Sequence, residues 1–240
     1  MIQLGSAIRT IHADRDWWKK VPIGGALWIT LLGWPLVEGH QLESIENSQR
    51  GFPTPLPPWH AWGNKAVVGI FALVVDFFFF LFPMLLGGVL LLCGTLAAGL
   101  IAGGSAIRPV ALVVVLPLAG YLLVVWLLGV SAVAKQRYVE DGDLETILSF
   151  RLIREQMETA ARGPYLRARL LSLPAYALAL AVLVLSVPVA GISVLATLVL
   201  VWLAFSLLTY ARLLAIQLYL AATQQVAARK WEMRTRRAET

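Results

Sequence analysis

The sequence has few charged residues for its length and a single cysteine. Only 14% of its 240 residues are Asp, Glu, Lys or Arg, whereas an ordinary soluble domain carries about 25%. Apolar residues make up 59% of the chain and the mean hydropathy is +0.74. This composition excludes an ordinary soluble domain and predicts an integral membrane protein. The lone Cys93 excludes a disulfide framework and a cysteine metal cluster within the chain.

Histidine is also scarce and badly placed for cofactor binding. His12, His40 and His60 all fall outside the apolar runs, so the hydrocarbon region offers no imidazole ligand for a haem or a chlorophyll. The spacing of Glu38, His40 and Glu43 is too loose for a metal site and is interpreted as a solvated turn. Because the sequence also lacks the common hydrolase and phosphate-binding motifs, we predict a non-enzymatic protein with no catalytic residue, no metal and no dedicated cofactor.

The apolar runs predict an all-α fold, a membrane helical bundle that forms one polytopic domain over residues 1–240. A transmembrane helix needs roughly 20 apolar residues. Glycine and proline separate neighbouring runs at Gly87-Gly88 and between Ser186 and Gly191. Six spans are therefore predicted, at residues 22–37, 66–86, 88–103, 109–134, 170–187 and 192–211.

Three further segments flank these spans. Residues 1–21 are predicted to form an interfacial helix, residues 143–162 a cytoplasmic amphipathic helix, and residues 223–240 a basic cytoplasmic tail. The long and short loops follow the same order in both halves, which is typical of an inverted 3+3 repeat. No residue identity links the halves, so chance alternation of loop lengths is an equal alternative.

The distribution of basic residues predicts the orientation of the chain. With six spans and a cytoplasmic amino terminus, seven Lys or Arg in residues 135–169 and five in residues 229–237 lie inside. Merging the second and third spans would place residues 135–169 outside, against the positive-inside bias. Both termini are therefore expected to be cytoplasmic. The net charge of +6 is spread over membrane-flanking segments, which favours basic loops over nucleic-acid binding.

Asp76 is the sharpest candidate for a functional residue. It lies near the middle of the second predicted span, where an ionised carboxylate costs at least about 2.5 kcal/mol. It is expected to face other helices and to bond to a hydroxyl group, with four candidates: Thr30, Thr95, Tyr121 and Ser206. An interhelical hydrogen bond is favoured over a proton or cation relay, because no second titratable group is visible at a similar depth.

Other residues of the predicted spans suggest lipid contact or helix packing. Arg212, inside the last apolar run, is expected to reach the cytoplasmic headgroups with its long side chain. Four consecutive aromatic residues occupy every side of a helical turn, so some of them must face lipid, or a hydrophobic ligand such as a quinone or a carotenoid: Phe77, Phe78, Phe79 and Phe80. A stripe of small residues at four-residue spacing predicts close approach of another helix, either internal or from another subunit: Thr95, Gly99 and Gly103.

Several short strings resemble one known family. Asp16-Trp17-Trp18-Lys19-Lys20 leads into Ile23-Gly24-Gly25, Leu56-Pro57-Pro58-Trp59 precedes Trp62-Gly63, and Arg137-Tyr138 precedes Glu140-Asp141-Gly142. Over nearly its whole length the chain resembles the prokaryotic multi-pass membrane proteins catalogued as domain of unknown function 4013. The resemblance implies a bacterial or archaeal plasma membrane, and it brings no assigned catalytic residue, cofactor or substrate.

Three classes of function follow from these observations. An accessory or scaffold subunit of a larger membrane complex, such as a respiratory or photosynthetic assembly, needs no active site and is favoured. A transporter or channel needs a polar route, for which Asp76 and the proline and glycine breaks are the only support. An intramembrane enzyme needs convergent reactive groups, which are not visible. The expected partners are membrane lipids and other membrane subunits, without nucleic acid.

Overall fold

The computed structural model describes residues 2–30, 32–101, 115–142 and 162–238, together with positions 149, 151 and 154. Every regular element within these ranges is helical, which confirms the all-α prediction. The helices are α1 (Leu4–His12), α2 (Trp17–Ile29), α3 (Gly33–Gln49), α4 (Trp62–Asp76), a π-helical turn (Phe77–Leu81), α5 (Phe82–Ile101), α6 (Leu116–Asp141), α7 (Arg162–Ala190) and α8 (Val194–Ala238).

Four helical stretches are long and apolar enough to cross a membrane. They are Trp62–Ala97, Leu116–Asp141, Gly163–Ala190 and Val194–Thr235. The shortest has 26 residues, which at about 1.5 Å per residue exceeds the roughly 30 Å of a hydrocarbon core. The chain is therefore a multi-pass membrane protein. The described residues do not confirm six spans or an inverted repeat.

The turn predicted at Gly87-Gly88 is wrong. The helix that begins at Trp62 continues through both glycines to Ile101, so the predicted spans 66–86 and 88–103 form one helix as far as the structure describes them. Glycine is tolerated here because a helix in hydrocarbon has no water to receive its broken backbone hydrogen bonds.

Two short helices replace the first predicted span. α2 has 13 residues, which is too short for a bilayer crossing, and α3 has 17, the lower limit for one, but it carries three glutamates and so is not predominantly apolar. The single helix expected over residues 22–37 is interrupted at Thr30, whose backbone is extended with φ −102° and ψ 134°. Leu32, just before α3, is 89% exposed. We call α2 and α3 together the helical hairpin.

The two ends of the helical hairpin lie on the same face of the protein. The Lys20 ammonium group, near the start of α2, donates to the carbonyl oxygen of Leu56 at 2.8 Å. The Trp59 indole donates to the carbonyl oxygen of Lys20 at 2.9 Å. The loop that follows α3 therefore contacts the start of α2. A single crossing would separate these groups by roughly 30 Å, whereas here they lie within hydrogen-bond distance.

Glycine allows the hairpin to pack closely against α4. A Cβ atom on Gly39 would lie 2.0 Å from the carbonyl oxygen of Lys65, and one on Gly69 would lie 1.6 Å from that of Pro35. Any larger side chain at these two positions would force the helices apart. The close approach brings the polar residues of α3 next to α4, which predictions from hydropathy alone do not anticipate.

The aromatic run and the small-residue stripe have different surroundings. The four phenylalanines lie in the π-helical turn, with Phe79 2% exposed and Phe77 and Phe78 each 47% exposed. The hydroxyl group of Thr95 donates to the Leu91 carbonyl oxygen in its own helix at 2.6 Å. The surroundings of Gly99, the position of Gly103 and most of the predicted helix 143–162 lie outside the described residues.

Candidate functional site

Four charged side chains from four helices meet inside the protein. They are Glu38 of α3, Asp76 of α4, Lys135 of α6 and Arg212 of α8. We call these four residues the charge quartet. Glu38 is fully buried, Lys135 is 2% exposed and Arg212 is 8% exposed. Two acids and two bases give the quartet no formal net charge.

Each carboxylate of the charge quartet contacts both cations. The Lys135 Nζ atom lies 2.5 Å from Glu38 Oε2 and 2.7 Å from Asp76 Oδ2. The Arg212 guanidinium group donates to both Glu38 oxygens, and its Nη2 atom lies 3.3 Å from Asp76 Oδ2. The Ser131 hydroxyl group donates to Asp76 Oδ1. Arginine suits this place because its planar fork can serve two acceptors at once.

Mutual pairing makes this burial energetically tolerable. A single charge costs several kcal/mol when it leaves water for a protein interior, and only good geometry with further hydrogen bonds offsets that cost. Here the acids and bases alternate, and Ser131 provides an additional donor to Asp76. Arg212 also lies over the Trp28 ring, 5.1 Å from its centroid. The charge quartet therefore ties α3, α4, α6 and α8 together.

Each spanning stretch that carries a member of the charge quartet extends from it by about one hydrocarbon thickness. Lys135 and Arg212 follow the first residues of their stretches by 19 and 18 residues, and the helix of Asp76 continues for 25 residues to Ile101. At the helical rise these lengths are about 27 to 38 Å, against roughly 30 Å for a hydrocarbon core. A bilayer that begins at those helix ends would have its other surface near the charge quartet.

Asp76 is recognisable from the sequence as a candidate site residue, whereas its partners are not. Arg212 was expected to reach the headgroups, and this is wrong because it is buried against Glu38 and Asp76. The solvated turn expected at Glu38, His40 and Glu43 is also wrong, since all three lie within α3 and the first two are buried. The break at Thr30 explains this difference, because it starts a new helix that carries these residues into the protein.

The hydroxyl groups that were expected to bind Asp76 bond elsewhere. Ser131 takes that role. The other hydroxyls donate to backbone carbonyl oxygens: Thr30 to Leu27, Thr95 to Leu91, Tyr121 to Leu173 and Ser206 to Trp202. One sequence signal could have revealed the charge quartet. Asp76 and Arg212 are charges of opposite sign that both lie within apolar runs, and charged residues in such runs commonly pair with one another.

His40 lies two residues beyond Glu38, under the proline-rich loop. Its Nε2 atom lies 3.0 Å from the carbonyl oxygen of Pro57, and its ring stacks on Trp59 with centroids 4.3 Å apart. Burial, together with the positive charge of Lys65, lowers the pKa of His40 to about 3. The imidazole is therefore neutral at physiological pH and holds the loop against α3.

A small cavity adjoins the charge quartet. Its volume is about 10 Å³, and its walls include Gln41, Ser131, Lys135, Tyr176 and Arg212. A water molecule needs about that much space. The site can thus admit one water molecule or one oxygen atom of a ligand, and no larger polar group.

A family model described as "Protein of unknown function (DUF4013)" matches residues 23–189, well over half of the chain. The chain belongs to this family. The resemblance noted in the sequence is thereby confirmed. No curated protein and no solved structure matches the chain. Within the DUF4013 match lie three members of the charge quartet, Glu38, Asp76 and Lys135, whereas Arg212 follows it.

Proposed function

We propose that this DUF4013 protein is a non-enzymatic accessory or scaffold subunit of a larger complex in a bacterial or archaeal plasma membrane, such as a respiratory or photosynthetic assembly. The observation that carries the proposal is the uncovered end of α8. Every side chain from 227 to 234 is exposed. Among these side chains Trp231 is 68% exposed and Met233 is 55% exposed.

The end of α8 has the composition of a docking segment. Ala238 follows Arg212 by 26 residues, about 39 Å of helix, so this end extends well beyond the membrane surface near the charge quartet. Aromatic residues, Met and Arg are enriched at protein interfaces. Trp231 and Met233 lie among several basic residues here, and an apolar side chain left in water favours a partner that covers it.

The charge quartet supports a structural role over a catalytic one. Its charges are paired with one another, and the adjoining cavity of about 10 Å³ admits no more than one water molecule or one oxygen atom. A site that binds four helices together holds the shape of a subunit without chemistry of its own.

Purification in a mild detergent tests this proposal. We expect the tagged protein to migrate as a complex with a constant set of membrane proteins. A double variant, Trp231→Ala with Met233→Ala, should lose that set. Trp18→Ala is the matched control, because Trp18 is 57% exposed on a different helix. A lone, monodisperse chain under all gentle conditions would contradict the proposal.

A transporter or channel that uses Asp76 is the second candidate. It is favoured by the charge quartet, since Glu38 and Lys135 are the additional titratable groups that a relay near Asp76 requires. Proteoliposomes should then show proton or cation flux that Asp76→Asn abolishes, while Asp16→Asn, at an exposed ion pair with Lys19, leaves it intact. Equal flux through liposomes without protein would rule this candidate out.

We also propose a topology with four crossings, a re-entrant helical hairpin and two cytoplasmic termini. Removing the crossing at 22–37 and merging two others subtracts two crossings in total, so residues 135–169 stay on the side of both termini. The positive-inside bias is kept, and Arg50 and Lys65 now add to it. The inverted 3+3 repeat, which needs six spans, does not fit this topology.

A further inference from the structure

An apolar groove opens on the membrane-facing surface between α5, α6, α7 and α8. Its volume is about 530 Å³, within the range of small-molecule sites, about 300–1,000 Å³. The hydroxyl group of Tyr121, one of its lining residues, donates to the Leu173 carbonyl oxygen at 2.5 Å, so it is already satisfied. The lining includes Met84, Val124, Leu128, Tyr176, Leu180 and Phe205.

Two residues of the groove wall also line the small cavity beside the charge quartet. Leu128 and Tyr176 line both spaces. Gln41 lines the small cavity, is 1% exposed, and has no hydrogen-bond partner for its Nε2 atom. A buried donor without an acceptor is costly and uncommon. A donor that lacks an acceptor thus lies in a cavity that shares part of its wall with an apolar groove.

We propose that the groove binds an isoprenoid quinone, with one ring carbonyl oxygen accepting a hydrogen bond from Gln41. The tail lies along the groove and continues into the bilayer. This assignment goes beyond the proposed function and does not depend on it. It is a binding assignment, and no electron transfer is included.

The electrostatics and the size of the two spaces favour this occupant. The charge quartet is already neutral, so a phosphate or a free carboxylate beside it would add an unbalanced buried charge. The cavity of about 10 Å³ admits one oxygen atom and not a glycerophosphate headgroup. A carotenoid hydrocarbon would fill the groove but leave the Gln41 amide without an acceptor. The occupant must therefore be uncharged, place only one oxygen atom in the small cavity, and offer an acceptor to Gln41. An uncharged carbonyl group on a long apolar chain meets these three requirements.

Ligand counting by native mass spectrometry of the full chain in detergent tests the assignment. A short-chain menaquinone is the probe, and squalene, an isoprenoid hydrocarbon without a carbonyl group, is the comparison ligand. We expect the quinone to saturate at roughly one molecule per chain and to bind at least about tenfold more tightly than squalene, as expected for one added hydrogen bond in a dry site.

Two variants test the contributions of the groove and of the Gln41 amide to quinone binding separately. Gly120 lines the groove, and a Cβ atom there meets nothing within 4 Å, so Gly120→Phe should fill the groove and weaken quinone binding at least about tenfold. Gly94→Phe is the matched control, because Gly94 is equally open and lies outside the groove. Gln41→Leu should reduce quinone affinity to that of squalene and leave squalene binding unchanged.

Four results would overturn the assignment. They are equal binding of squalene and quinone, equal weakening by Gly120→Phe and Gly94→Phe, unchanged quinone affinity in Gln41→Leu, and a retained phospholipid that the quinone does not displace. The third result would mean that the small cavity holds water only. Because the isolated chain is used, failure here leaves the subunit proposal untouched, and failure to find partner proteins leaves the quinone test valid.

Discussion

Neutralising Glu38 tests whether the charge quartet stabilises the protein as a unit. In Glu38→Gln, Lys135 and Arg212 keep only Asp76 as an acidic partner, which leaves a net positive charge in a buried site. Removing one partner of a buried ion pair costs about 3 to 5 kcal/mol. For a chain of this size that loss corresponds to a decrease of roughly 6 to 20 °C in the unfolding temperature.

The matched control lies on the same helix. Glu46 forms an exposed pair with Arg50 at 2.6 Å, and its side chain is 41% exposed. A surface pair of this kind contributes about 0 to 1 kcal/mol, so Glu46→Gln should unfold within a few degrees of the wild type. Both variants keep the size of the side chain and remove one negative charge, so they differ mainly in burial.

A double variant separates the effect of charge imbalance from a simple loss of contacts. Glu38→Gln with Lys135→Met removes one charge of each sign and leaves the Asp76–Arg212 pair with Ser131. We expect it to be more stable than Glu38→Gln alone, because no unbalanced charge remains. Thermal unfolding in detergent, followed by gel filtration after heating, measures all three. If Glu38→Gln unfolds at the temperature of Glu46→Gln, the reasoning about the charge quartet is refuted.

Two further predictions follow from the helical hairpin and its surroundings. Gly69→Ala should abolish monodisperse protein in gel filtration, because its Cβ atom would lie 1.6 Å from the Pro35 carbonyl oxygen. Gly94→Ala, at an open position, should elute as the wild type does. Equal elution profiles of the two variants would refute the close packing. The pKa of folded His40 is about 3, below its ordinary 6.5, so the unfolded chain binds more protons in that interval and stability decreases as pH falls. Between pH 7.5 and 5 this loss is about 2 kcal/mol, and it should be missing from thermal unfolding of His40→Gln; an identical pH dependence in both proteins would contradict it.

The fold class and the family could be predicted from the sequence because hydropathy and composition carry them. Long apolar runs require helices in a bilayer, and the turn between α7 and α8 follows a proline and glycine string that ends at Gly191. The turn predicted at Gly87-Gly88 is wrong because a glycine pair favours a turn in water but is accommodated within a helix in hydrocarbon.

The helical hairpin could not be predicted in the same way. A segment that enters the membrane and returns has the same hydropathy as one that crosses it. Thr30 is a single polar residue within residues 22–37, and nothing local indicates that its backbone is extended. The difference matters for Glu38, because a residue just after a crossing is expected in water, whereas Glu38 lies in the second turn of α3 and is buried.

The charge quartet could be only partly predicted because its members are distant in sequence. Glu38 is 97 residues from Lys135 and 174 residues from Arg212. Side-chain spacing along one helix does not reveal such pairs. Asp76 was conspicuous because it lies among Val75, Phe77 and other apolar residues, whereas Lys135 and Glu38 lie at the ends of apolar runs and resembled ordinary interface charges.

The side of the membrane reached by the loop after α3 tests the central claim most directly, since only a returning hairpin brings Glu38 to the other three charges. In a Cys93→Ser background, single cysteines at Thr54, Met233 and Gly191, all exposed, would be labelled with a membrane-impermeant maleimide in right-side-out and inverted vesicles. We predict that Thr54→Cys is labelled from the same side as Met233→Cys and from the side opposite to Gly191→Cys. Labelling of Thr54→Cys together with Gly191→Cys would mean that residues 22–37 cross the bilayer and would contradict the account.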